Sequence, residues 1–450
     1  MTAAAPQVAP SAGLAVPPQR PGPEDVAADM AAPERRRLLV AAVLALPVLV
    51  LSVVPGAQFR NWQWLCFVLA APLAVWGAWP FHQRALREPT VASDTLVSLA
   101  VVASFVWSAY ALFLGGAGEP GTRLPFDPTA TAGVGAARPC PDAVAAVVLC
   151  ALAGRCLEAR AGRRTAASAP LPADAMARAC VPMVAAVAVT VPGFWLGAGA
   201  EPRAAVAAAV AVLVVAAPCA LLAAVPATLL SAALRGARIG VRVRRPRSLE
   251  ALRAVDTVVL NTVRRPGDYR AVRHLKRLGL RPVLVTGEQE EAARAAADRL
   301  GIAEAQSGVG PRDKAVLVRE LRERGHRVAV VGEGAEDAAA LAEADLGIAL
   351  GDGDPVAVGA ADMTLTRGDV KAVVDAIRLA RRTGYVLRAQ LVWVPGCQVV
   401  ALAPAAAGWL NPSGAVVAMA AGVLLAVADG LGAYATGPRP APAARRLTTS

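Results

Sequence analysis

Val255–Val263 reads VDTVVLNTV: a short β-branched strand that ends in a polar turn. Around it lies a soluble segment of alternating elements. Strands are expected at Thr257–Leu260, Pro282–Thr286, Val328–Gly332 and Leu346–Ala349. Helices are expected at Tyr269–Leu278, Glu290–Leu300, Lys314–Arg324, Ala338–Glu343 and Val370–Arg382. Short apolar strands alternating with amphipathic helices predict a parallel sheet covered on both faces. Ligands in such sheets sit beyond the C-terminal strand ends. Those ends are Asn261–Thr262, Thr286–Gly287–Glu288, Gly332–Glu333–Gly334 and Gly351–Asp352–Gly353. The polar, Gly-rich turns suit a phosphate site, yet none is a Walker loop or a GxGxxG fingerprint.

The rest of the chain is far more apolar. Hydrophobic residues make up 56% of the sequence and charged residues 18%, below the roughly 25% charge of soluble domains. Mean hydropathy is +0.48. Ala, Val and Leu gather in runs too long for a soluble core, so the chain reads as an integral membrane protein whose first partner is the lipid bilayer. The net charge of +12 comes mostly from Arg. Those Arg residues are dispersed with few aromatics for base stacking, which argues against nucleic acid as a partner. Seven Cys form no CxxC and mostly lie in or beside apolar runs, which argues against a disulfide framework. His82, His274 and His326 show no ligand spacing.

Eight spans are expected, at about Leu38–Val54, Trp62–Phe81, Thr95–Leu114, Asp142–Leu157, Ala179–Leu196, Ala204–Leu234, Val386–Trp409 and Pro412–Ala433. Pro47 is expected to kink the first, and Pro218 and Pro226 to break the sixth. Arg clusters after spans two, four and six place both termini in the cytoplasm, in a multi-pass cell-membrane protein. The divisions follow: a tail at 1–33 disordered by composition, two leading spans at 34–92, spans three and four at 93–158, and a short linker at 159–178. Spans five and six occupy 179–250, the α/β segment 251–385, the last two spans 386–434 and a second tail 435–450. Asp94 is expected to cap a span, and Arg155 and Glu158 to anchor one at the interface.

Several segments together resemble the heavy-metal P-type ATPases, in particular the copper-exporting branch. They are DTLVSLA at Asp94–Ala100, VVAAPCALLAAVPATLL at Val214–Leu230, VDTVVLNT at Val255–Thr262 and GVGPRDKAVLVRELRERGHRVAVVGEGAEDAAALAEADLGIAL at Gly308–Leu350, with QLVWVPGCQVVALAPAAAGWLNP at Gln390–Pro412. The resemblance implies a phosphorylation domain of the haloacid-dehalogenase type set into a helical membrane bundle. It also implies ATP hydrolysis through an aspartyl phosphate, with export of a soft metal ion.

The departures from that pattern shape the functional expectation. Where the family has DKTGT, this chain has Asn261, Thr262, Val263, Arg264 and Arg265. A carboxylate can attack a γ-phosphoryl group, whereas a neutral amide oxygen is a poor nucleophile. The family's magnesium motif is represented by Glu333, Glu336 and Asp337, its phosphate-sensing Lys by Lys314 and its TGD by Thr286–Gly287–Glu288. Mg²⁺ needs tight octahedral geometry, so a working kinase-type site holding Mg²⁺ and ATP is not expected; a remnant anion or cation site is the alternative. The actuator and nucleotide-binding domains of the family have no counterpart: only Ala159–Arg178 separates spans four and five, and a helix follows Val263 almost at once. The membrane metal motif is reduced to Ala217–Pro218–Cys219, with Cys397–Gln398 in span seven and Met419 in span eight. Cys219, Cys397 and Met419 offer soft sulfur for Cu(I) or another soft metal; the alternative is that they pack the bundle. A pump homologue without catalysis is therefore expected, with a metal-binding, regulatory or partner-binding role toward another membrane protein. The competing readings are a residual heavy-metal transporter, a phosphohydrolase and a structural scaffold.

Overall fold

The computed structural model describes residues 23–87, 92–121, 123–124, 127–129, 138–160, 172–243, 247–261, 268–351 and 354–433. It has a helical bundle and an α/β domain. The first helix, α1 (Pro23–Val53), begins ahead of the expected boundary at residue 33, with Pro23 at a position where a missing N–H costs nothing. Pro47 lies inside it without interrupting it.

The expected second span is not one straight helix. It consists of α2 (Trp62–Pro72), a π-turn at Leu73–Gly77 and α3 (Trp79–Arg87), bent by 45° at the break. A π-bulge is one of the few causes of a sharp kink, and Pro72 immediately before it removes a further donor. Then come α4 (Ala92–Phe113), α5 (Pro141–Arg160) and α6 (Pro172–Gly197). The sixth span divides into α7 (Pro202–Ala216) and α8 (Cys219–Arg238). The break falls at Ala217–Pro218 alone; Pro226 stays inside α8.

Each expected span coincides with helix. Among the described residues, however, five spans are long and apolar enough to cross a bilayer, counting α7 with α8 as one, or six if the bent pair α2–α3 also counts as one. One cause is that Asp142, Arg155, Glu158 and Arg160 charge α5; of α6, the apolar stretch among the fully described residues is Pro182–Gly197. In the bundle α1 packs on α5, α5 on α8 and α8 on α16 (Pro412–Gly432). Small residues allow close approach: a Cβ on Gly154 would lie 2.8 Å from the Leu222 carbonyl oxygen of α8.

The α/β domain starts with β1 (Val241–Val243) and α9 (Arg247–Ala254). Then follow β2 (Thr257–Leu260), α10 (Asp268–Arg277), β3 (Arg281–Val285), α11 (Glu290–Leu300), β4 (Glu304–Gln306) and α12 (Pro311–Glu323). It closes with β5 (Val328–Gly332), α13 (Ala338–Glu343), β6 (Leu346–Leu350), α14 (Pro355–Ala360) and β7 (Met363–Leu365). The sheet order is β1-β7-β6-β5-β2-β3-β4. All pairings are parallel except β1 with β7, so the expected all-parallel sheet gains an antiparallel edge.

The strands alternate between two buried faces. Val258 and Leu260 join Leu275 and Ile377 on one side; Val259 joins Leu317 and Leu341 on the other. Burial on both faces explains the unbroken apolar runs of β2, β5 and β6.

One helix, α15 (Val370–Ala406), replaces the two elements expected on either side of residue 385. Asp369 starts it by accepting a hydrogen bond from the Ala372 N–H at 2.9 Å. A helical Gly such as Gly384 costs about 1 kcal/mol relative to Ala. Here the side chain of Arg253 occupies the space a Cβ would need. At 1.5 Å per residue α15 is about 55 Å long, running from the sheet-facing core at Ile377 into the bundle at Ala405.

Candidate functional site

The fold places Asn261 immediately after β2, at the centre of the sheet, where the neighbouring strand β5 ends in Gly332. The Asn261 N–H bonds to the Val331 carbonyl at 3.3 Å and so continues the ladder. Beside β5, a short 3₁₀ turn at Ala335–Asp337 brings Asp337 back toward the strand end. Gly332 makes that approach possible, because a Cβ there would lie 2.6 Å from the Asp337 Cβ. Lys314 comes from the first turn of α12, which Pro311 opens.

These three side chains form a closed cluster. The Asn261 amide Nδ2 donates to both Asp337 carboxylate oxygens at 2.6 Å. Lys314 Nζ donates to Asn261 Oδ1 at 2.6 Å and to Asp337 Oδ1 at 3.0 Å. The Glu333 N–H adds a bond to Asp337 Oδ2 at 3.2 Å. The amide orientation follows from the partners: reversed, it would face oxygen with oxygen and ammonium with N–H. Lys314 is 7% exposed and Asp337 1%. A buried ion pair is tolerable when its remaining hydrogen-bonding capacity is met, and here the amide gives each ion a further partner while the Glu333 N–H adds one for Asp337.

Thr286 is buried at the end of β3 and does not join this cluster. Its Oγ1 accepts the Glu288 N–H at 3.2 Å, closing the turn. Glu333 contributes its backbone and has a half-buried side chain, while Glu336 is exposed. Thr262, Val263, Arg264, Arg265, Asp352 and Gly353 lie outside the described residues.

The sulfur residues in the bundle are less concentrated. Cys219 and Met419 belong to one buried core, but Cys397 is on an exposed flank of α15. Among the described residues, no group of three His, Cys, Asp or Glu is arranged to hold a metal ion. The Ala217 carbonyl at the α7–α8 break accepts from Gln398 Nε2 at 3.0 Å. Gln398, next to Cys397 in sequence, is thus the α15 residue that reaches the break.

Sequence reasoning missed a polar connection deeper along the same helices. Gln390 is fully buried; its Oε1 accepts from Thr228 at 3.0 Å and its Nε2 donates to Asp429 at 3.1 Å. Ser231 donates to the Gly430 carbonyl at 2.9 Å. Polar residues inside apolar spans were the available signal. Asp94 lies within the first turn of α4 and pairs with Arg84 at 3.4 Å. Arg155 is buried, with its guanidinium 4.7 Å from the centre of the Phe81 ring, so it ties α5 to α3.

Fold and site together define a helical membrane protein carrying a haloacid-dehalogenase-like domain. A family model described as haloacid dehalogenase-like hydrolase matches residues 200–345. The chain is 27% identical to a copper-exporting P-type ATPase of Mycobacterium tuberculosis, with 88% of this chain and 83% of that protein covered. The alignment runs over 645 residues although this chain has 450, so the relative contains long stretches without a counterpart here. Over 148 residues the chain is 43% identical to a probable copper-transporting ATPase of Synechococcus elongatus, covering 33% of this chain and 20% of that one. Among solved structures, a zinc-transporting PIB-type ATPase in an E2.Pi state superposes with a TM-score of 0.64 at 18% identity, covering 88% of this chain and 99% of that one. That likeness defines the fold. The chain is a homologue of the copper-exporting and cation-transporting P-type ATPases.

Proposed function

We propose that this chain is a heavy-metal P-type ATPase homologue that forms no acyl phosphate and does not pump. It acts instead as a soft-metal-binding, regulatory or partner-binding membrane protein. The observation that carries this reading is Asn261, whose amide is engaged by Lys314 and Asp337 at the position where the family places its phosphorylated Asp. An amide at that place lacks the nucleophilic carboxylate, and its oxygen is already turned toward an ammonium.

The spacing of the chain supports the same reading. α5 ends at Arg160 and α6 begins at Pro172, which leaves no room between them for a family-type actuator domain. Only residues 262–267 separate Asn261 from α10, too few for a nucleotide-binding domain. Both termini lie in the cytoplasm on the Arg bias of the loops. Any soft metal in the bundle centres on Cys219 and Met419 beside the proline break, with Cys397 peripheral.

The test is Cu(I)-stimulated ATP hydrolysis by the purified chain in lipid vesicles. No turnover above a metal-free control is expected. Hydrolysis that rises with Cu(I) and disappears in Asp337→Asn would overturn the reading. It would instead favour the second reading, a residual heavy-metal transporter, which the names of the relatives support.

A further inference from the structure

We infer that the Asn261 amide stands in for a divalent cation: Asn261, Lys314 and Asp337 balance one another's charge and hydrogen bonds, and this cluster takes no Mg²⁺. The inference deepens the proposed reading, since it concerns the same site, but it rests on donors and acceptors rather than on turnover.

The carboxylate of Asp337 is the deepest anion of the corner and is committed on every side. Oδ1 receives the Asn261 amide and the Lys314 ammonium; Oδ2 receives the same amide and the Glu333 N–H. Mg²⁺ takes oxygen ligands at about 2.0–2.1 Å in octahedral array and gives up its waters reluctantly. To bind Asp337 it would have to displace a donor that already satisfies the oxygen. It would also have to approach an ammonium held 3.0 Å from that oxygen, in a buried site where like charges are poorly screened. The one neutral side chain in the cluster turns its N–H groups, not its oxygen, toward Asp337, so it adds no ligand there.

An Asp at 261 in the same pose reverses this balance. It would set an acceptor 2.6 Å from both Asp337 oxygens where a donor now sits. Two carboxylates that close hold together only with a proton or a cation between them. Lys314 touches both positions and compensates one of the two charges. Asn261 removes the other charge and supplies the missing donor, so one residue accounts for both the lost nucleophile and the lost need for metal.

The experiment is a Mn²⁺ titration of the full detergent-purified chain, read by electron paramagnetic resonance, with Mg²⁺ as competitor and no ATP present. Wild type is expected to show no saturable site that Mg²⁺ displaces. Asn261→Asp is expected to gain one, at least about tenfold tighter than any background binding, and to melt higher in Mg²⁺ than in chelator. Recovery of the folded variant only in Mg²⁺ would also support the inference. A Mg²⁺-displaceable site in wild type that vanishes in Asp337→Asn would overturn it, and this arm stands even if Asn261→Asp never folds. A wild type that bound Mg²⁺ yet formed no phosphoenzyme would refute this inference and leave the proposed function intact.

Discussion

Replacing Asn261 with Ala should destabilise the α/β domain by about 2–4 kcal/mol, because hydrogen bonds to charged partners contribute roughly 1.5–3 kcal/mol each. The variant loses one bond from Lys314 and the pair of contacts to Asp337. The upper limit is set by what remains: Lys314 and Asp337 keep each other at 3.0 Å, and Asp337 keeps the Glu333 N–H. Lys314→Ala should cost more, about 3–5 kcal/mol, since it leaves Asp337, only 1% exposed, without its cation. Fluorescence is unsuited to the measurement, because all eight Trp lie outside residues 240–382. Hydrogen exchange by mass spectrometry on the full chain reads the domain directly, through the amides of β2 and β5. A loss of about 3 kcal/mol accelerates their exchange about a hundredfold where it follows global opening of the domain. Exchange in Asn261→Ala within about twofold of wild type, or Lys314→Ala milder than Asn261→Ala, would refute the reasoning that the amide completes a buried ion pair.

Other perturbations address the bundle and the surface. Gly154→Ala places a Cβ 2.8 Å from a backbone oxygen of α8, so the two helices must separate; thermal unfolding of the purified chain should fall by several degrees, and an unchanged midpoint would contradict the packing. Glu343 accepts from Arg319 at 3.1 and 3.2 Å, and that hydrogen bond holds its carboxyl below the usual glutamate range. Its contribution is therefore complete above the unfolded value of about 4.3 and is lost as pH falls through the lower folded value, so Glu343→Gln should weaken the domain at neutral pH and match wild type in strong acid. Cu(I) retained by the detergent-purified chain should be lost in Cys219→Ala and kept in Cys397→Ala, because Cys219 is buried in the bundle core and Cys397 is exposed; the reverse pattern would move the metal to the other face of α15.

Much of the α/β domain was legible from pattern. The strands at Thr257 and Val328 and the helices at Glu290 and Ala338 occupy their expected residues, because each lies in a run whose period matches its state. The shortest strands were not legible. Val241–Val243, Glu304–Gln306 and Met363–Leu365 are three residues each, too short to carry a period, and they exist because a neighbouring strand offers free backbone groups. The fusion of two expected elements into α15 was hidden at Thr383–Gly384–Tyr385, which fall between the expected helix and the expected span; in the fold the helix runs through them, with Arg253 filling the space beside the glycine. At the site, sequence supplied Asn261, Lys314 and Asp337 but not their mutual bonding, since residues 53 and 76 positions from Asn261 meet only through the sheet. Thr286 was grouped with them by motif, yet it spends its hydroxyl on its own turn. Gln390 escaped notice, and Gln398 was read only as a motif position, because single polar residues in long apolar runs have no periodicity of their own; only the packed helices give them partners.

The central claim is that Asn261 ends phosphoryl transfer at this site. The most direct measurement is acid-quenched labelling of the membrane-reconstituted chain with γ-labelled ATP, with and without Cu(I), followed by alkaline treatment. The account predicts no alkaline-labile label on the protein in either condition. Label that appears at one site per chain, is lost in alkali and is abolished by Asp337→Asn would contradict it.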